Sequence, residues 1–411
     1  MEYGCIGNPL GHSYSEEIHH LIGGYRYELK QLREDELREF FRAADFKGIN
    51  VTIPYKQAVI PFLDGISDRA ERIGAVNTIV NRDGKLYGDN TDYLGLTALL
   101  SREHITLKEK KILILGTGGT AKTAHAVAED LGAREIVRVS RTGKDGALTY
   151  ADAAALHADA EVILNATPCG MYPEIKPSPI GLSLFPRLES VIDVIYNPLR
   201  TTLLLEAGKR GLKTAGGLFM LVSQAVAAAS LFFPDRPSAD AEAIYRTLLR
   251  KKENLVLIGM PTRGKTSVGQ IAAFLSERKC FDTDVLFRKK HVLSPAQYIE
   301  AYGEPAFRDA EAEIVAELSK VNSSVIAVGG GTVLREENVA ALKKNGILVW
   351  LDRPLDELRP AVNRPLSNDK EKLEVLWYTR RPIYQSAADV TVDAAGPISV
   401  AIADLIEKDL I

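Results

Sequence analysis

Short apolar runs alternate with stretches of helical period along nearly the whole chain. Tyr3–Ile6, Tyr25–Leu29 and Gly48–Thr52 read as strands, the last stopped by Pro54. Between them, Ser15–Leu21 and Leu32–Ala44 place apolar residues on one helical face. Gly65–Ile73 reads as helix, and Thr78–Gly88 as a hairpin turning at Asp83-Gly84. A new unit opens at Lys111–Leu115, a buried-type strand, followed by an alanine-rich helix over Ala121–Leu131. Further strands are expected at Glu135–Val139, Val162–Asn165 and Val191–Val194, with a return to helix after Leu212. The helix Ala239–Leu249 is expected to end at the charge cluster Arg250-Lys251-Lys252-Glu253, and the buried-type strand Leu255–Ile258 starts right behind it. Beyond lie helices over Pro295–Tyr302, Arg308–Leu318 and Ile398–Leu405, and strands over Ser324–Val328 and Ile347–Leu351. Such alternation predicts an α/β fold class with doubly wound parallel sheets.

Composition changes this picture little. The 411 residues are 46% hydrophobic and 26% charged, which suits an ordinary globular chain of two to four domains. A net charge of −3 gives no reason to expect nucleic acid or an anionic membrane as partner. Cys5, Cys169 and Cys280 are scattered and odd in number, which fits a reducing cytoplasm and argues against a disulfide framework. The N-terminus lacks a charged region followed by an apolar core, so no signal peptide is expected. Gly216–Phe233 is apolar enough to suggest a membrane span, but Ser223, Gln224 and Ser230 and the lack of basic flanks favour a buried helix.

Two glycine turns carry chemistry. After Leu255–Ile258 come Gly259, four residues, Gly264, Lys265 and Thr266, a full G-x-x-x-x-G-K-[ST] match. Glycines let backbone N–H groups surround phosphates, the lysine reaches the outer phosphates, and the threonine hydroxyl ligates Mg²⁺. Behind it, Asp282 and Asp284 sit at i and i+2, expected to project together from a strand end. The other turn, Gly116-Thr117-Gly118-Gly119-Thr120, joins an apolar strand to a helix, where a dinucleotide pyrophosphate binds. The next strand ends in Ser140-Arg141-Thr142 with Lys144 nearby and no acidic residue. An arginine among hydroxyls suits a 2′-phosphate, so NADP is favoured over NAD.

Around the second turn stand the polar clusters NPLGHSYS (8–15), NVTIPYK (50–56), GAVNT (74–78) and GDNTDYLG (88–95). With Asn165-Ala166-Thr167, DVIYNPLRTTL (193–203) and Gly217–Gln224, residues 1 to about 249 resemble shikimate dehydrogenase over their whole length. The resemblance implies Ser13, Ser15, Thr52, Asn77, Asp92, Tyr196 and Gln224 as substrate contacts, with Lys56 and Asp92 as the catalytic pair. It implies Gly116, Thr117, Gly118, Gly119, Thr120, Ser140, Arg141, Thr142, Asn165, Thr167, Gly217 and Met220 around NADP(H). Reducing a ring ketone leaves an alkoxide needing a proton, which a lysine supplies if its pKa falls from about 10.4 towards neutrality. Glu16 stands where that family usually has proline, and Pro168-Cys169 replaces a serine-containing stretch.

From about 254 to 411 the chain resembles shikimate kinase: the P-loop, Phe281-Asp282-Thr283-Asp284, Gly303–Arg308 with Glu311, Gly329-Gly330-Gly331, Arg364-Pro365-Leu366 and Arg380-Arg381-Pro382 occur in order. The resemblance implies ATP contacts at Gly259, Arg263, Gly264, Lys265, Thr266, Ser267 and Arg364, and Mg²⁺ at Thr266 and Asp282. It implies Asp284 as base or positioner of the acceptor hydroxyl, and Arg308, Gly330, Gly331 and Arg380 around shikimate. Met260-Pro261-Thr262-Arg263 departs from the glycine-rich family pattern, and RPLSNDKEK (364–372) is expected to be a mobile lid.

The expected organisation is therefore a substrate-binding α/β domain over 1–96 and 213–249, a Rossmann-type NADP domain over 97–212, and a P-loop kinase domain with a parallel sheet over 254–411. The expected activity is bifunctional: 3-dehydroshikimate is reduced with NADPH, and the shikimate formed is phosphorylated by ATP with Mg²⁺. Two alternatives stay open. The first half uses quinate or NAD, or the second half binds ligand without turnover. Small molecules are the expected partners, and the sequence leaves the oligomeric state open.

Overall fold

The computed structural model describes residues 1–11, 13–144, 146–173, 178–261, 264–358 and 369–411. The chain folds as two compact units, Met1–Leu248 and Leu249–Ile411. The expected contacts Arg263 and Arg364 lie outside the described residues.

Unit 1 holds two sheets. The first contains β1 (Tyr3–Gly7), β2 (Glu28–Gln31), β3 (Gly48–Val51), β4 (Gly65–Ile66), β5 (Thr78–Arg82) and β6 (Lys85–Asp89), in the order β2-β1-β3-β5-β6-β4. β1, β2 and β3 run parallel, while β5 and β6 form an antiparallel hairpin. Gly65–Ile73 is not one helix: Gly65–Ile66 pairs with β6, and the helix starts at Asp68 because Ser67 caps it.

The second sheet contains β7 (Lys111–Leu115), β8 (Glu135–Val139), β9 (Val162–Asn165), β10 (Ser190–Asp193) and β11 (Lys213–Gly216), all parallel, in the order β11-β10-β9-β7-β8. After Leu212 the chain thus adds a strand before it returns to helix. The order reverses beside β7, which opens a crevice at the carboxyl ends of β7 and β9. The helix Leu218–Phe232 is buried along most of its length and packs on the helix Thr91–Arg102. Among the described residues no helix is long and apolar enough to cross a membrane.

Those two helices approach closely at Gly95, where an added Cβ would lie 2.6 Å from the Met220 carbonyl oxygen. Asp92 and Gln224 ride on them. Gly95→Ala is expected to destabilise the unit by about 1–3 kcal/mol, since backbone must part to admit the methyl group. Chemical denaturation measures that loss.

The end of β10 buries a carboxyl group. Asp193 is 0% exposed, and burial pushes its pKa from the usual carboxylate range up to about 7, with bonds from Thr201, Ile195 and Asn165 opposing. A raised folded-state pKa gives stability that is present below the unfolded value and lost as pH climbs through the folded one. Relative to Asp193→Asn, the parent chain is therefore expected to lose stability on the order of 4 kcal/mol between about pH 4 and 7.5. Denaturation midpoints of the pair across that range check the sign. A constant difference would contradict it.

Unit 2 has one parallel sheet of β12 (Asn254–Ile258), β13 (Lys279–Asp282), β14 (Ser324–Ala327), β15 (Gly346–Asp352) and β16 (Val390–Asp393), ordered β13-β14-β12-β15-β16. The central β12 runs into the P-loop and the helix Gly264–Leu275. The helix Ala241–Lys252 runs on through Arg250-Lys251-Lys252, which suits the negative end of a helix dipole. Of the expected lid, residues 370–372 instead begin the helix Lys370–Ala387, capped by Asp369, and the stretch before Asp369 lies outside the described residues.

Candidate active sites

In unit 1, β3 ends at Val51 and the following loop carries Thr52 and Lys56. Asn90 caps the helix Thr91–Arg102 and so sets Asp92 in its first turn. Lys56 Nζ lies 2.5 Å from Asp92 Oδ2, and both side chains are only 13% and 10% exposed. The same ammonium donates to Thr120 Oγ1 at 3.5 Å. An added Cβ on Gly119 would meet the Lys56 side chain at 3.4 Å. The glycine turn of the second sheet therefore touches the lysine of the first.

Beside this pair lies a buried amide network. Asn77 Oδ1 accepts from the Thr91 N–H at 2.7 Å and from the Thr78 hydroxyl at 3.1 Å, which turns its Nδ2 towards Gln224 Oε1 at 3.4 Å. Gln224 Nε2 donates to Leu221 O. The Ser13 hydroxyl donates to Ser15 Oγ at 3.0 Å, and the Tyr196 ring sits 5.2 Å from that of Tyr14. Burial pushes the Tyr196 phenol upward, with Tyr14 and Cys5 adding to it and a bond with Ser13 opposing. Burial also pushes the Cys5 thiol up to about 12, while the Lys56 charge pulls the other way. The roles of Asn50, Thr78 and Thr91 were not assigned from sequence. Asn50 donates to Thr78 Oγ1 at 3.0 Å and accepts from Tyr27 at 2.7 Å, so it braces the network from below. Their signal was membership of the clusters NVTIPYK, GAVNT and GDNTD.

The positions expected to hold the cofactor gather at the crevice. Gly116 has φ +119°, and an added Cβ would approach the Ala166 carbonyl oxygen at 3.1 Å. Space around Gly118, at the start of the helix Gly119–Asp130, is open to 4 Å, so an anion can reach its N–H groups. Arg141 and Thr142 are exposed beyond β8, and Ser140 Oγ accepts from Gly143 N–H at 3.1 Å. Asn165 ends β9 and holds Thr167 through two bonds, while Gly217 and Met220 start the buried helix. These donors fit an anionic dinucleotide with a 2′-phosphate.

In unit 2, the P-loop lysine is 7% exposed and Lys265 Nζ donates to Gly259 O at 2.9 Å and Met260 O at 2.7 Å. The Thr266 hydroxyl donates to Asp282 Oδ2 at 2.6 Å, and Ser267 follows in the helix. Such a hydroxyl–carboxylate seat suits Mg²⁺ arriving with phosphates. Asp284 does not share a strand face with Asp282. It sits in the first turn of the helix Thr283–His291, whose N–H groups at Asp284 and Val285 are capped by Asp282 Oδ1. Helix capping, not strand alternation, brings the two carboxylates together.

The Gly329–Gly331 turn joins the remaining groups. An added Cβ on Gly329 would meet Glu311 Oε1 at 2.8 Å and Asp284 Oδ1 at 3.6 Å; one on Gly331 would collide with Arg308, and one on Gly330 would lie 3.0 Å from Pro261 of the P-loop. Arg308 donates to Glu311 at 2.8 Å and Glu304 at 2.9 Å. Burial works against its charge, and Glu311 and Glu304 outweigh that to raise its pKa. Arg380 is 7% exposed and bonded to Tyr384, whose hydroxyl donates to Gly330 O. Its neighbour Arg381 pairs instead with Asp352 and stacks on Trp377, away from this turn. Tyr384 closes the run Arg380-Arg381-Pro382-Ile383-Tyr384, although the sequence assigns it no role, while Thr332, which bonds Glu311 at 2.8 Å, gives no signal beyond being polar.

Comparison with known proteins finds a family match in each half of the chain. A model of the shikimate dehydrogenase substrate binding domain matches residues 5–79, and one of shikimate kinase matches residues 261–410. The shikimate dehydrogenase (NADP(+)) of Clostridium beijerinckii is 39% identical over 248 residues, covering 56% of this chain and 91% of that one. Among solved structures, shikimate dehydrogenase 1 from Peptoclostridium difficile matches with a TM-score of 0.56 at 35% identity, covering 60% of this chain and 98% of its own. Shikimate 5-dehydrogenase from Thermus thermophilus, in complex with NADP(H) and shikimate, matches with a TM-score of 0.53 at 30% identity, covering 61% and 99%.

Proposed function

Because the chain belongs to the shikimate dehydrogenase family and bears a shikimate kinase domain behind it, we propose that it performs two consecutive reactions. Unit 1 reduces 3-dehydroshikimate to shikimate with NADPH, and unit 2 phosphorylates the shikimate 3-hydroxyl with ATP and Mg²⁺. The observation that carries this reading is the Lys56–Asp92 pair wedged against the Gly119-Thr120 turn, where acid and cofactor must meet.

NADPH, when bound, supplies a hydride to the ring carbonyl. Lys56 then gives its proton to the carbonyl oxygen, and Asp92 orients the ammonium and bonds the new hydroxyl. Asn77 and Gln224 hold ring hydroxyls, while Ser13, Ser15 and Tyr196 hold the carboxylate end. The exposed Arg141–Thr142 edge beyond β8 supports preference for NADP. In unit 2, ATP with Mg²⁺ supplies the phosphoryl group. Asp284 takes the proton of the attacking hydroxyl or positions it. Arg308 and Arg380 clamp the substrate carboxylate with planar paired donors. Lys265 offsets charge that builds on the phosphates.

A substrate panel tests the reading. 3-dehydroshikimate with NADPH and shikimate with Mg-ATP should turn over, with quinate and NADH poorer in kcat/KM. Faster turnover with quinate or NADH would overturn the dehydrogenase half. Shikimate binding without ADP formation would reduce unit 2 to a ligand-binding module.

A further inference from the structure

The motif at 193–203 contributes a group that the mechanism leaves unused. Asp193 ends β10 and is the register partner of Asn165 at the end of β9. Both are 0% exposed. Asn165 Nδ2 donates to Asp193 Oδ1 at 3.1 Å and to Cys169 O at 3.3 Å. Asn165 Oδ1 accepts from the Thr167 N–H at 3.1 Å and from its hydroxyl at 2.6 Å. Thr167 Oγ1 in turn accepts from Cys169 N–H at 3.2 Å. The amide therefore has one permitted orientation. Flipped, it would set NH₂ against the Thr167 N–H and set its oxygen against two acceptors.

Asp193 is itself fixed. Its Oδ1 also accepts from the Ile195 N–H at 3.1 Å, and its Oδ2 accepts from Thr201 Oγ1 at 2.7 Å. Thr201 caps the helix Thr202–Lys209. The carboxyl group thus ties the loop after β10 to the turn after β9. That turn backs the glycine turn, because Gly116 stands against Ala166 and Thr167.

We infer that Asp193 is a positioning residue for the dinucleotide: it fixes the Asn165 amide, and the amide presents the Thr167 turn to the cofactor. This rests on the proposal above that the 116–120 and 165–167 turns hold NADP(H). Among the described residues its bonds come from Thr201, Ile195 and Asn165 and from no cation, and two of these partners reach the turn after β9 and the loop after β10.

The test uses the full chain with Asp193→Ala and Asp193→Asn. The asparagine keeps an acceptor towards Asn165 and Ile195, and its NH₂ can donate to a rotated Thr201 hydroxyl. NADPH affinity is read by fluorescence titration, and KM is measured for NADPH and 3-dehydroshikimate. ATP turnover by unit 2 and circular dichroism report folding. The alanine variant is expected to weaken NADPH binding about tenfold, with the KM for 3-dehydroshikimate moving less than about twofold, and asparagine is expected to restore most of the affinity. An unchanged NADPH affinity, an equal rise in both KM values, or an asparagine variant no better than alanine would overturn the inference. If the alanine chain misfolds, Asp193→Leu fills the volume and takes the same readings. Failure of the parent chain to reduce 3-dehydroshikimate would count against the proposed function instead, since the titration reads cofactor binding without turnover.

Discussion

Lys56→Ala should lower kcat for NADPH-dependent reduction by about 10³-fold or more while ATP turnover by unit 2 continues unchanged. The ammonium has two partners, Asp92 at 2.5 Å and Thr120 at 3.5 Å, and is shielded from water. Alanine removes the proton donor and leaves the Asp92 carboxylate enclosed beside the reacting oxygen without its cation. Both changes act on the transition state, so the loss should fall on kcat more than on KM. Steady-state rates from NADPH absorbance at saturating 3-dehydroshikimate measure it. A loss below about tenfold would mean that the proton comes from elsewhere.

Lys265→Ala should lower shikimate-dependent ADP formation by about 10³-fold, with NADPH oxidation by unit 1 intact. Lys265 is held over its own loop by Gly259 O and Met260 O, at the end of the central strand. Lys265 is the cation that the G-x-x-x-x-G-K-[ST] pattern aims at the outer phosphates. Pro261 removes one N–H from the loop, which leaves the lysine a larger share of phosphate stabilisation. Pro261 also lies against Gly330, so the nucleotide loop and the acceptor turn share a contact. A coupled ADP assay reads the effect, and retained turnover would move the phosphate contacts off this loop.

Much of this was legible in the chain because strands and turns obey local rules. Ile112–Leu115 and Leu255–Ile258 are apolar on both faces and run straight into Gly116 and Gly259, the pattern of a buried strand feeding a phosphate turn. The hairpin at Asp83-Gly84 was equally local. Elements with mixed patterns were harder. GDNTDYLG read as a polar cluster, yet Asn90 caps a helix there, and the residues that look functional are its first turn. β11 is four residues long and starts with a lysine, so neither period nor length marks it. The helix Lys370–Ala387 carries Pro382 and a mostly polar face, which hides its period.

The sites divide along the same line. Lys56 stood out only through the resemblance of NVTIPYK and GDNTD to shikimate dehydrogenase, whereas Thr266 could be picked out by residue type and spacing, because it completes the G-x-x-x-x-G-K-[ST] match. Thr91 and Tyr384 could not, because their partners Asn77 and Gly330 lie 14 and 54 residues away and meet them only after folding. Asp193 stood in view within a quoted motif, but its bond to Asn165 depends on strand register. Tertiary placement, rather than local preference, decides such contacts.

The central claim is that one chain makes a ring hydroxy acid at one site and phosphorylates it at the other. It is tested most directly by giving the purified chain 3-dehydroshikimate, NADPH and Mg-ATP together and following NADPH loss and ADP formation in the same sample. The account expects one ADP for each NADPH once shikimate has reached steady state, ADP formation that waits for NADPH, and shikimate 3-phosphate as the product by mass spectrometry. NADPH consumed without ADP, or ADP formed at the same rate when NADPH is withheld, would contradict it.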